Sequence, residues 1–273
     1  MTQQFYPSLW GQKLGLDTAE RLVAPAGFRA GAHGSQFDYV SPSRVVFHDD
    51  FLGDTLNTFN WHSPTKGSDG ATVDFAISQD VNGKIVGTTG AGSGASMAAN
   101  GILIDGGLTW KAGTQGPLDF QTRLQISAIT NICLYAGFTD QVSTLEMPFT
   151  ISGSTVTSNA TDAVGFLFDT AATAATWKLL GVANDVDATL QEAVQSTSTA
   201  TTAPVAATYT TLRVTVATDG SATFFINGNP VGTRMAGAVT STVALAPVIA
   251  VFSRTTASPT CTVDYVHVSG GRV

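Results

Sequence analysis

Residues 209–235 read YTTLRVTVATDGSATFFINGNPVGTRM, and this stretch decides the fold. Leu212 and Val214 alternate with polar neighbours, which is the period-two pattern of a strand with one buried face. An Asp-Gly pair at 219–220 and an Asn-Gly pair at 227–228 then supply two tight turns, because the central positions of a primed hairpin turn favour positive φ. The stretch therefore predicts three antiparallel strands joined as a meander.

The same signals recur along the chain. Between Phe120 and Ser127 an apolar-rich set of side chains alternates with a polar set, and Asn-Gly pairs at 82–83 and 100–101 mark further turns. No long stretch has helical periodicity. Short strands separated by turn signals are typical of two packed sheets. The sequence thus predicts an all-β, antiparallel β-sandwich over residues 46–273, a length that such folds reach as one domain.

Residues 1–45 lack this alternation and are predicted to form an irregular N-terminal arm. Four Lys or Arg against three Asp or Glu give the arm a charge of +1, whereas the remainder carries −8. An aromatic-rich segment without its own core must lie on another surface, either its own sandwich or a neighbouring subunit that offsets the entropy cost of ordering. We expect the arm to dock on such a partner through five anchors: Phe5, Tyr6, Trp10, Leu14 and Phe28.

Composition restricts the partners. Only 12% of the residues are charged and the net charge is −7, so no basic surface is offered to nucleic acid or to an anionic membrane. The N-terminus lacks the features of a signal peptide, which predicts a protein made in a cytoplasm. Sheets with few charges have weak protection against edge pairing, so we expect a homo-oligomer. Cys133 and Cys261 lie in apolar, strand-like runs, which predicts two buried free thiols.

Three segments resemble the concanavalin A-like (laminin-G-like) jelly roll. Residues 47–51 followed by Trp61 look like its opening strand, and the meander at 212–231 is similar to one that these folds carry. Residues 263–268 resemble the last strand, which pairs beside the first. The resemblance covers about residues 46–273 and implies a jelly roll, a fold that hosts many functions. With a short arm and low charge, the chain also looks like bacteriophage virion proteins, including capsid decoration and tail or fibre proteins.

The acidic residues form no catalytic pattern in the sequence. A glycoside hydrolase needs two carboxyl groups flanking the bond that breaks, and jelly-roll glycosidases commonly place two Glu and an Asp at alternate positions of one strand. This chain has only three Glu, at positions 20, 146 and 192. Asp49 and Asp50 are neighbours that would point to opposite faces of a strand, which favours a strand-end cap. Residues 184–187 offer oxygen ligands for calcium, but a turn is favoured there.

Histidines and tryptophans supply the remaining candidates. His48 and His267 become neighbours if the first and last strands pair, and two polar side chains are favoured there over a zinc site. A Trp on this fold either stacks on a sugar ring or fills the core. Trp177 is predicted to be buried, whereas Trp110, which lies beside glycines, is the candidate ligand-binding residue. No metal ion and no cofactor are predicted.

These observations favour a non-enzymatic virion structural protein, above all a capsid decoration (cement) protein that docks by its N-terminal arm. Its expected partners are capsid or other virion proteins and further copies of the chain, and its expected location is the virion. The alternative is a carbohydrate-binding, lectin-like module or a phage tail or fibre adhesin. An enzyme is disfavoured because the carboxylate pattern is missing.

Overall fold

The computed structural model describes residues 15–16, 22–23, 43–62, 65–68, 74–78, 80–90, 97–142, 144–195 and 202–273. The chain divides into two units, residues 1–42 and 43–273, and each is described by itself. In the first unit, strands β1 (Gly15–Leu16) and β2 (Leu22–Val23) form a short antiparallel ladder. All other elements that the described residues form belong to the second unit.

Within the described residues the second unit contains strands β3 to β20 and two short helical segments, a 3₁₀-helix (Met97–Asn100) and α1 (Ala112–Gln115). In chain order the strands are β3 (Arg44–Asp49), β4 (Thr65–Lys66), β5 (Asp74–Ser78), β6 (Lys84–Thr88), β7 (Ile102–Asp105), β8 (Leu118–Ile126), β9 (Ile132–Thr139), β10 (Phe149–Ser152), β11 (Thr155–Ser158), β12 (Ala163–Asp169), β13 (Lys178–Ala183), β14 (Val186–Asp187), β15 (Gln191–Glu192), β16 (Thr210–Val216), β17 (Ala222–Ile226), β18 (Asn229–Met235), β19 (Ala246–Ser253) and β20 (Thr260–Gly271).

Two antiparallel sheets of eight strands each form the sandwich. Sheet I has the order β14-β13-β12-β9-β19-β7-β4, with β15 also paired to β13. Sheet II has the order β18-β17-β16-β8-β20-β6-β5, with β3 also paired to β20. Neighbouring strands are often distant in sequence, as in the β8–β20 pair. This arrangement confirms the predicted all-β, antiparallel jelly-roll sandwich.

The stretch at 209–235 forms β16, β17 and β18, as predicted. At the turn between β17 and β18, φ is 50° at Asn227 and 80° at Gly228, which are the positive values that a primed turn requires. The turn between β16 and β17 holds those two strands in register, so that Arg213 lies opposite Phe225. The local turn chemistry therefore sets which side chains meet across sheet II.

The main core lies between the two sheets. Phe120 of β8 meets Phe138 of β9 edge-to-face, with 5.7 Å between the ring centroids. Phe166 of β12 meets Phe224 of β17 in the same way at 5.4 Å. All four side chains are fully buried. Burial of each such side chain contributes about 1.5–3 kcal/mol relative to exposure, so this layer holds the two sheets together.

Sheet I is apolar on its outer face as well. Strand β9 reads ICLYAGFT and all of its residues are buried, which is typical of a strand covered on both sides. The cover is the segment that includes hairpin β10–β11, because Met147, Phe149 and Ile151 join a second apolar cluster with Tyr135 and Val248. The rings of Tyr135 and Phe149 are 5.9 Å apart. The protein's own side chains therefore fill the outer face of sheet I.

One glycine, Gly165, makes room for Tyr135 on this face. Gly137 and Gly165 are cross-strand partners, and a Cβ at Gly165 would come within 2.9 Å of the tyrosine ring. The Tyr135 hydroxyl donates to the carbonyl oxygen of Phe138 at 2.7 Å, so the buried polar group is satisfied. Burial raises the pKa of Tyr135 well above its usual value.

A buried ion pair fastens hairpin β10–β11 to sheet I. Asp169, at the end of β12, is fully buried and accepts hydrogen bonds from Arg254 Nε at 3.0 Å and from Arg254 Nη2. The same carboxylate accepts hydrogen bonds from the amide N–H of Ile151 and from the thiol of Cys133, each at 3.3 Å. Arg254 Nη2 also donates to the carbonyl oxygen of Ile151 at 3.2 Å. A buried carboxylate needs such partners, and here they link three strands.

Both cysteines are buried free thiols, as predicted. Burial raises the pKa of Cys261 to about 12 and that of Cys133 well above its usual value. Neither thiol is therefore ionised at neutral pH, and both behave as small apolar side chains.

The first strand of the sandwich pairs with the last. His48 of β3 lies opposite His267 of β20, with 5.7 Å between their ring centroids, which confirms the predicted neighbour relation. At the end of β3, Asp49 Oδ1 accepts a hydrogen bond from the amide N–H of Phe51 at 2.8 Å. Asp49 is therefore the predicted strand-end cap. Strand β3 starts inside the segment predicted as the arm (residues 1–45), whereas the first unit ends at residue 42.

Candidate functional site

Trp110, the candidate ligand-binding residue from the sequence, is buried, and the prediction that it is exposed is wrong. Its side chain is 4% exposed and belongs to the main core. A Cβ added at Gly270 would lie 3.3 Å from the indole, so the missing side chain at Gly270 leaves the space that the ring occupies. Neighbouring glycines are a loop signal, but here they accompany a core residue. Trp177 is fully buried, as predicted.

The predicted interface anchors of the arm lie outside the described residues: Phe5, Tyr6, Trp10, Leu14 and Phe28. Within the segment at 184–187, Asn184 and Asp185 form the predicted turn, with φ of 51° and 62°, and the last two residues form β14. In the part of the chain that the structure describes, no three His, Cys, Asp or Glu side chains are placed to hold a metal ion. No helix of that part has the length and hydropathy to cross a bilayer.

The carboxylates are dispersed over the sandwich. No strand within the described ranges carries two Asp or Glu residues at alternate positions. The clearest acid–base pair lies at the end of β7, where His62 Nδ1 is 2.7 Å from Asp105 Oδ1. Asp105 is 2% exposed and His62 is 62% exposed, and burial raises the pKa of Asp105. The buried carboxyl group thus orients an exposed imidazole.

The outer face of sheet II carries partly exposed polar and aromatic side chains. Strands β8, β16 and β17 alternate strictly between buried and partly exposed residues, so every second side chain points away from the core. Strand β20 continues this face past a register shift between Val263 and Tyr265. We term this surface the polar-aromatic face and define it by these residues: Asp119, Gln121, Arg123, Tyr209, Arg213, Phe225, Asp264 and Tyr265.

Strand register aligns four positions in a row across sheet II. Phe225 of β17 lies opposite Arg213 of β16. Arg213 lies opposite Gln121 of β8, and Gln121 lies opposite His267 of β20 on its other side. Neighbouring strands are about 4.8 Å apart, so this cross-strand row spans roughly 14 Å at right angles to the strands.

Two Arg–Asp pairs neutralise the charges of the polar-aromatic face. Arg213 Nε lies 2.9 Å from both carboxylate oxygens of Asp119, and Arg213 Nη2 also donates to it. Arg123 Nη1 donates to Asp264 Oδ2 at 2.7 Å. The hydrogen bond to Asp119 raises the pKa of Arg213. A fork of hydrogen bonds fixes the planar groups of Arg213 and Asp119, and a single bond joins Arg123 to Asp264. The face therefore presents oriented polar atoms without net charge.

The two guanidinium groups also lie over aromatic rings. Arg123 Cζ is 4.1 Å from the centroid of the Tyr209 ring, and Arg213 Cζ is 5.2 Å from that of Phe225. A cation–π contact of this kind holds the guanidinium group against the face of the aromatic ring. Each arginine is thus fixed from two sides, by a carboxylate and by a ring.

Tyr265 of β20 lies beside Gln121 on the polar-aromatic face. Its hydroxyl accepts a hydrogen bond from Gln121 Nε2 at 2.6 Å, and its ring centroid is 5.9 Å from that of His48. Burial raises the pKa of Tyr265, so the phenol is neutral at ordinary pH. An uncharged ring with a fixed hydroxyl therefore lies beside the cross-strand row.

The alternating strands contain a sequence signal for this face. Their outward positions hold Arg, Gln, Tyr and Phe beside several Thr, whereas Ser and Thr dominate the polar positions of much of the chain. Which of these side chains meet depends on the register between strands that are distant in sequence, such as β8 and β20. Alternation alone predicts the outward set but not its arrangement.

Comparison with known proteins relates the chain to others by fold. No family model and no curated protein matches it. It is similar to a prokaryotic β-1,3-1,4-glucanase (lichenase) derived from a mouse hindgut metagenome, with a TM-score of 0.54 and 11% identity over 82% of this chain and 98% of that one. The Bacillus licheniformis β-glucanase has a TM-score of 0.54 and 12% identity over 82% and 97%. A pseudo β-1,3-glucanase of Mycobacterium tuberculosis has a TM-score of 0.50 and 12% identity over 83% and 98%.

This likeness confirms the jelly roll and corrects the function expected from the sequence. The three proteins are named for glucans, and none of them is named as a virion component. The prediction of a non-enzymatic virion structural protein, a capsid decoration protein in particular, is wrong on this finding. The prediction that the chain is not an enzyme is contradicted by the same neighbours. Low charge and an N-terminal arm are not specific to virions, because one fold serves many functions.

Proposed function

We propose that this protein binds carbohydrate chains through the polar-aromatic face of sheet II. One observation carries the proposal: an open sheet face combines aromatic rings with Arg–Asp pairs that are already neutralised and oriented. The outer face of sheet I offers no such surface, because hairpin β10–β11 fills it. The lectin-like alternative from the sequence is therefore the favoured one, with a different site from Trp110.

The chemistry of a sugar matches this surface. A pyranose ring has apolar C–H faces, which pack on aromatic side chains such as Tyr265 and Phe225, and a rim of hydroxyl groups, which need both donors and acceptors. The Arg213–Asp119 and Arg123–Asp264 pairs supply both kinds of group. Since these pairs are held in place before a ligand arrives, little side-chain entropy is lost on binding.

The structural neighbours suggest the first ligand to test. Two of them are named as β-glucanases, one for β-1,3-1,4-glucan. A neutral polysaccharide also suits a face without net charge, because a charged chain gains no unpaired counter-charge there. Mixed-linkage β-1,3-1,4-glucan is therefore the first probe, followed by other neutral and acidic polysaccharides.

Binding is measured by affinity electrophoresis and titration calorimetry with the full chain. Tyr265→Ala removes the aromatic ring beside Gln121, and we expect about tenfold weaker binding, since an aromatic contact contributes about 0.5–1.5 kcal/mol beyond its buried area. Arg234→Ala is the matched control, because it removes an exposed Arg–Asp pair at strand β18 away from the cross-strand row, and its affinity should be unchanged. Failure of every polysaccharide to bind, or full affinity in Tyr265→Ala, contradicts the proposal.

Hydrolysis is tested in the same samples by the release of reducing ends. The carboxylates of the polar-aromatic face, Asp119 and Asp264, are each bound to an arginine, whereas glycoside hydrolysis uses two carboxyl groups that flank the bond. Release that is lost in Asp119→Asn and in Asp264→Asn, but kept in Arg234→Ala, would add cleavage to binding at this face. Binding without release supports a binding module.

A further inference from the structure

We infer that the ligand lies across the strands, along the cross-strand row, and is an extended chain of several sugars rather than a single terminal sugar. The inference rests on the proposed function and specifies its ligand class. The row runs from Phe225 through Arg213 and Gln121 to His267. It spans roughly 14 Å from strand to strand, so one sugar ring cannot contact both of its ends.

The polar groups within the row are fixed side by side. Arg213 is held by the carboxylate of Asp119, and Gln121 is held by the hydroxyl of Tyr265. The aromatic ring of Phe225 ends the row on β17 and packs against the Arg213 guanidinium. A line of contacts that alternates a ring with oriented polar groups suits a repeating chain, in which each unit brings a new ring face and new hydroxyl groups.

A ligand that lies along the strands is expected to bind less favourably than one that lies across them. On β8, Gln121 is flanked at alternate positions by Asp119 and Arg123, and both are engaged in ion pairs with neighbouring strands. A ligand that followed β8 would have to cover both ion pairs, and removing paired charges from water carries a desolvation cost. A ligand that follows the cross-strand row covers only Arg213 of the Arg213–Asp119 pair and leaves the Arg123–Asp264 pair outside the row. The cross-strand direction therefore removes less paired charge from water than the direction along β8 does.

Two glutamines on one strand test this direction. Gln121 and Gln125 both belong to β8 and both point outward, but only Gln121 lies in the row, since Gln125 lies opposite Thr262. Binding is measured by calorimetry with glucose, with linear oligosaccharides of mixed-linkage β-glucan of increasing length, and with the polymer. We expect affinity to rise with length by at least about tenfold and then level off. Gln121→Ala should weaken binding of long oligosaccharides about tenfold, and Gln125→Ala by less than about twofold.

The outcomes separate this inference from the proposed function. Equal losses in Gln121→Ala and Gln125→Ala mean that the chain follows β8, which overturns the inference and leaves carbohydrate binding intact. Glucose that binds as tightly as the polymer also overturns only the inference. No binding of any probe overturns both. Gln121→Met keeps the length of the side chain without its amide, and thermal unfolding of each variant excludes a folding defect as the cause of a loss.

Discussion

The two outer faces of the sandwich have opposite chemistry although both are built from antiparallel strands of similar length. Strand β9 of sheet I is buried along its whole length, whereas β8 of sheet II alternates between buried and partly exposed residues. Hairpin β10–β11 covers sheet I with apolar side chains, whereas the outward side chains of β8, β16 and β17 in sheet II are partly exposed. One face thus extends the core, and the other is free to meet a ligand.

The same pair of residue types has a different role on each face. Arg254 and Asp169 on sheet I are 24% and 0% exposed, and Arg213 and Asp119 on sheet II are 42% and 17% exposed. The first pair bonds the backbone of Ile151 and so holds the hairpin. The second pair is part of the polar-aromatic face. Burial therefore decides whether an Arg–Asp pair supports the fold or remains available for recognition.

The largest difference between the faces is expected in the loss of stability caused by Phe149→Ala on sheet I and by Phe225→Ala on sheet II. Phe149 is fully buried between hairpin β10–β11 and Tyr135, so its loss leaves a cavity and should lower the free energy of unfolding by about 4 kcal/mol. Phe225 is partly exposed, so the same change should cost about 1 kcal/mol or less. Urea unfolding of both variants measures the two values. Similar costs would mean that sheet II is covered as well.

A second test compares Arg254→Ala with Arg213→Ala. Removal of Arg254 leaves the fully buried Asp169 carboxylate without its counter-charge, which should lower the free energy of unfolding by about 3 kcal/mol. Arg213 is more exposed, so its removal should cost about 1 kcal/mol or less while weakening glucan binding. Urea unfolding and calorimetry on the same samples give both quantities. A reversed order would contradict the assignment of a structural role to sheet I and a binding role to sheet II.

The sequence predicts sheet II better than it predicts sheet I. Alternation and Asn-Gly turns define the β16–β18 meander locally, and the structure confirms it. Strands β9 and β19 read ICLYAGFT and APVIAVFS, continuous apolar runs that are typical of strands covered on both sides. More than half of the covering segment, FTISGSTVTS at 149–158, is Ser or Thr. Its position over sheet I depends on long-range contacts such as that of Asp169 with Ile151, which no local pattern contains.

The candidate site was harder to predict for a related reason. A lone Trp beside glycines favours exposure, yet Trp110 is buried because Gly270, distant in sequence, leaves space for it. The residues of the polar-aromatic face are ordinary outward side chains when each strand is considered separately. Arg123 and Tyr265 become neighbours only through the β8–β20 register. The register between paired strands decides which side chains meet on a binding face that several strands build. A single sequence specifies this register mainly where short turns join the strands.

The smallest expected effect is a difference in pH dependence between Asp105 of sheet I and Asp219 in the β16–β17 turn of sheet II. Burial raises the pKa of Asp105 above its ordinary value of 3.8. The hydrogen bond from the Ser221 side chain is the main cause that lowers the pKa of Asp219 from 3.8 to about 2. The contributions of the two carboxyl groups to the free energy of unfolding therefore change with pH in opposite directions.

Asp105 binds its proton more tightly in the folded chain, so its contribution is present in full below pH 3.8 and is lost as the pH rises through its raised pKa. Asp219 is more acidic in the folded chain, so its carboxylate stabilises the fold above pH 3.8. This stabilisation is lost as the pH falls towards about 2. Relative to the wild type, Asp105→Asn should gain stability as the pH rises above 3.8, and the deficit of Asp219→Asn should shrink below it. Urea unfolding of the three proteins across this range measures both trends. Trends of the same sign would show that Asp105 is not as shielded from water as its 2% exposure indicates, and the contrast between a covered and an open sheet would then be weaker at the β7 end of sheet I.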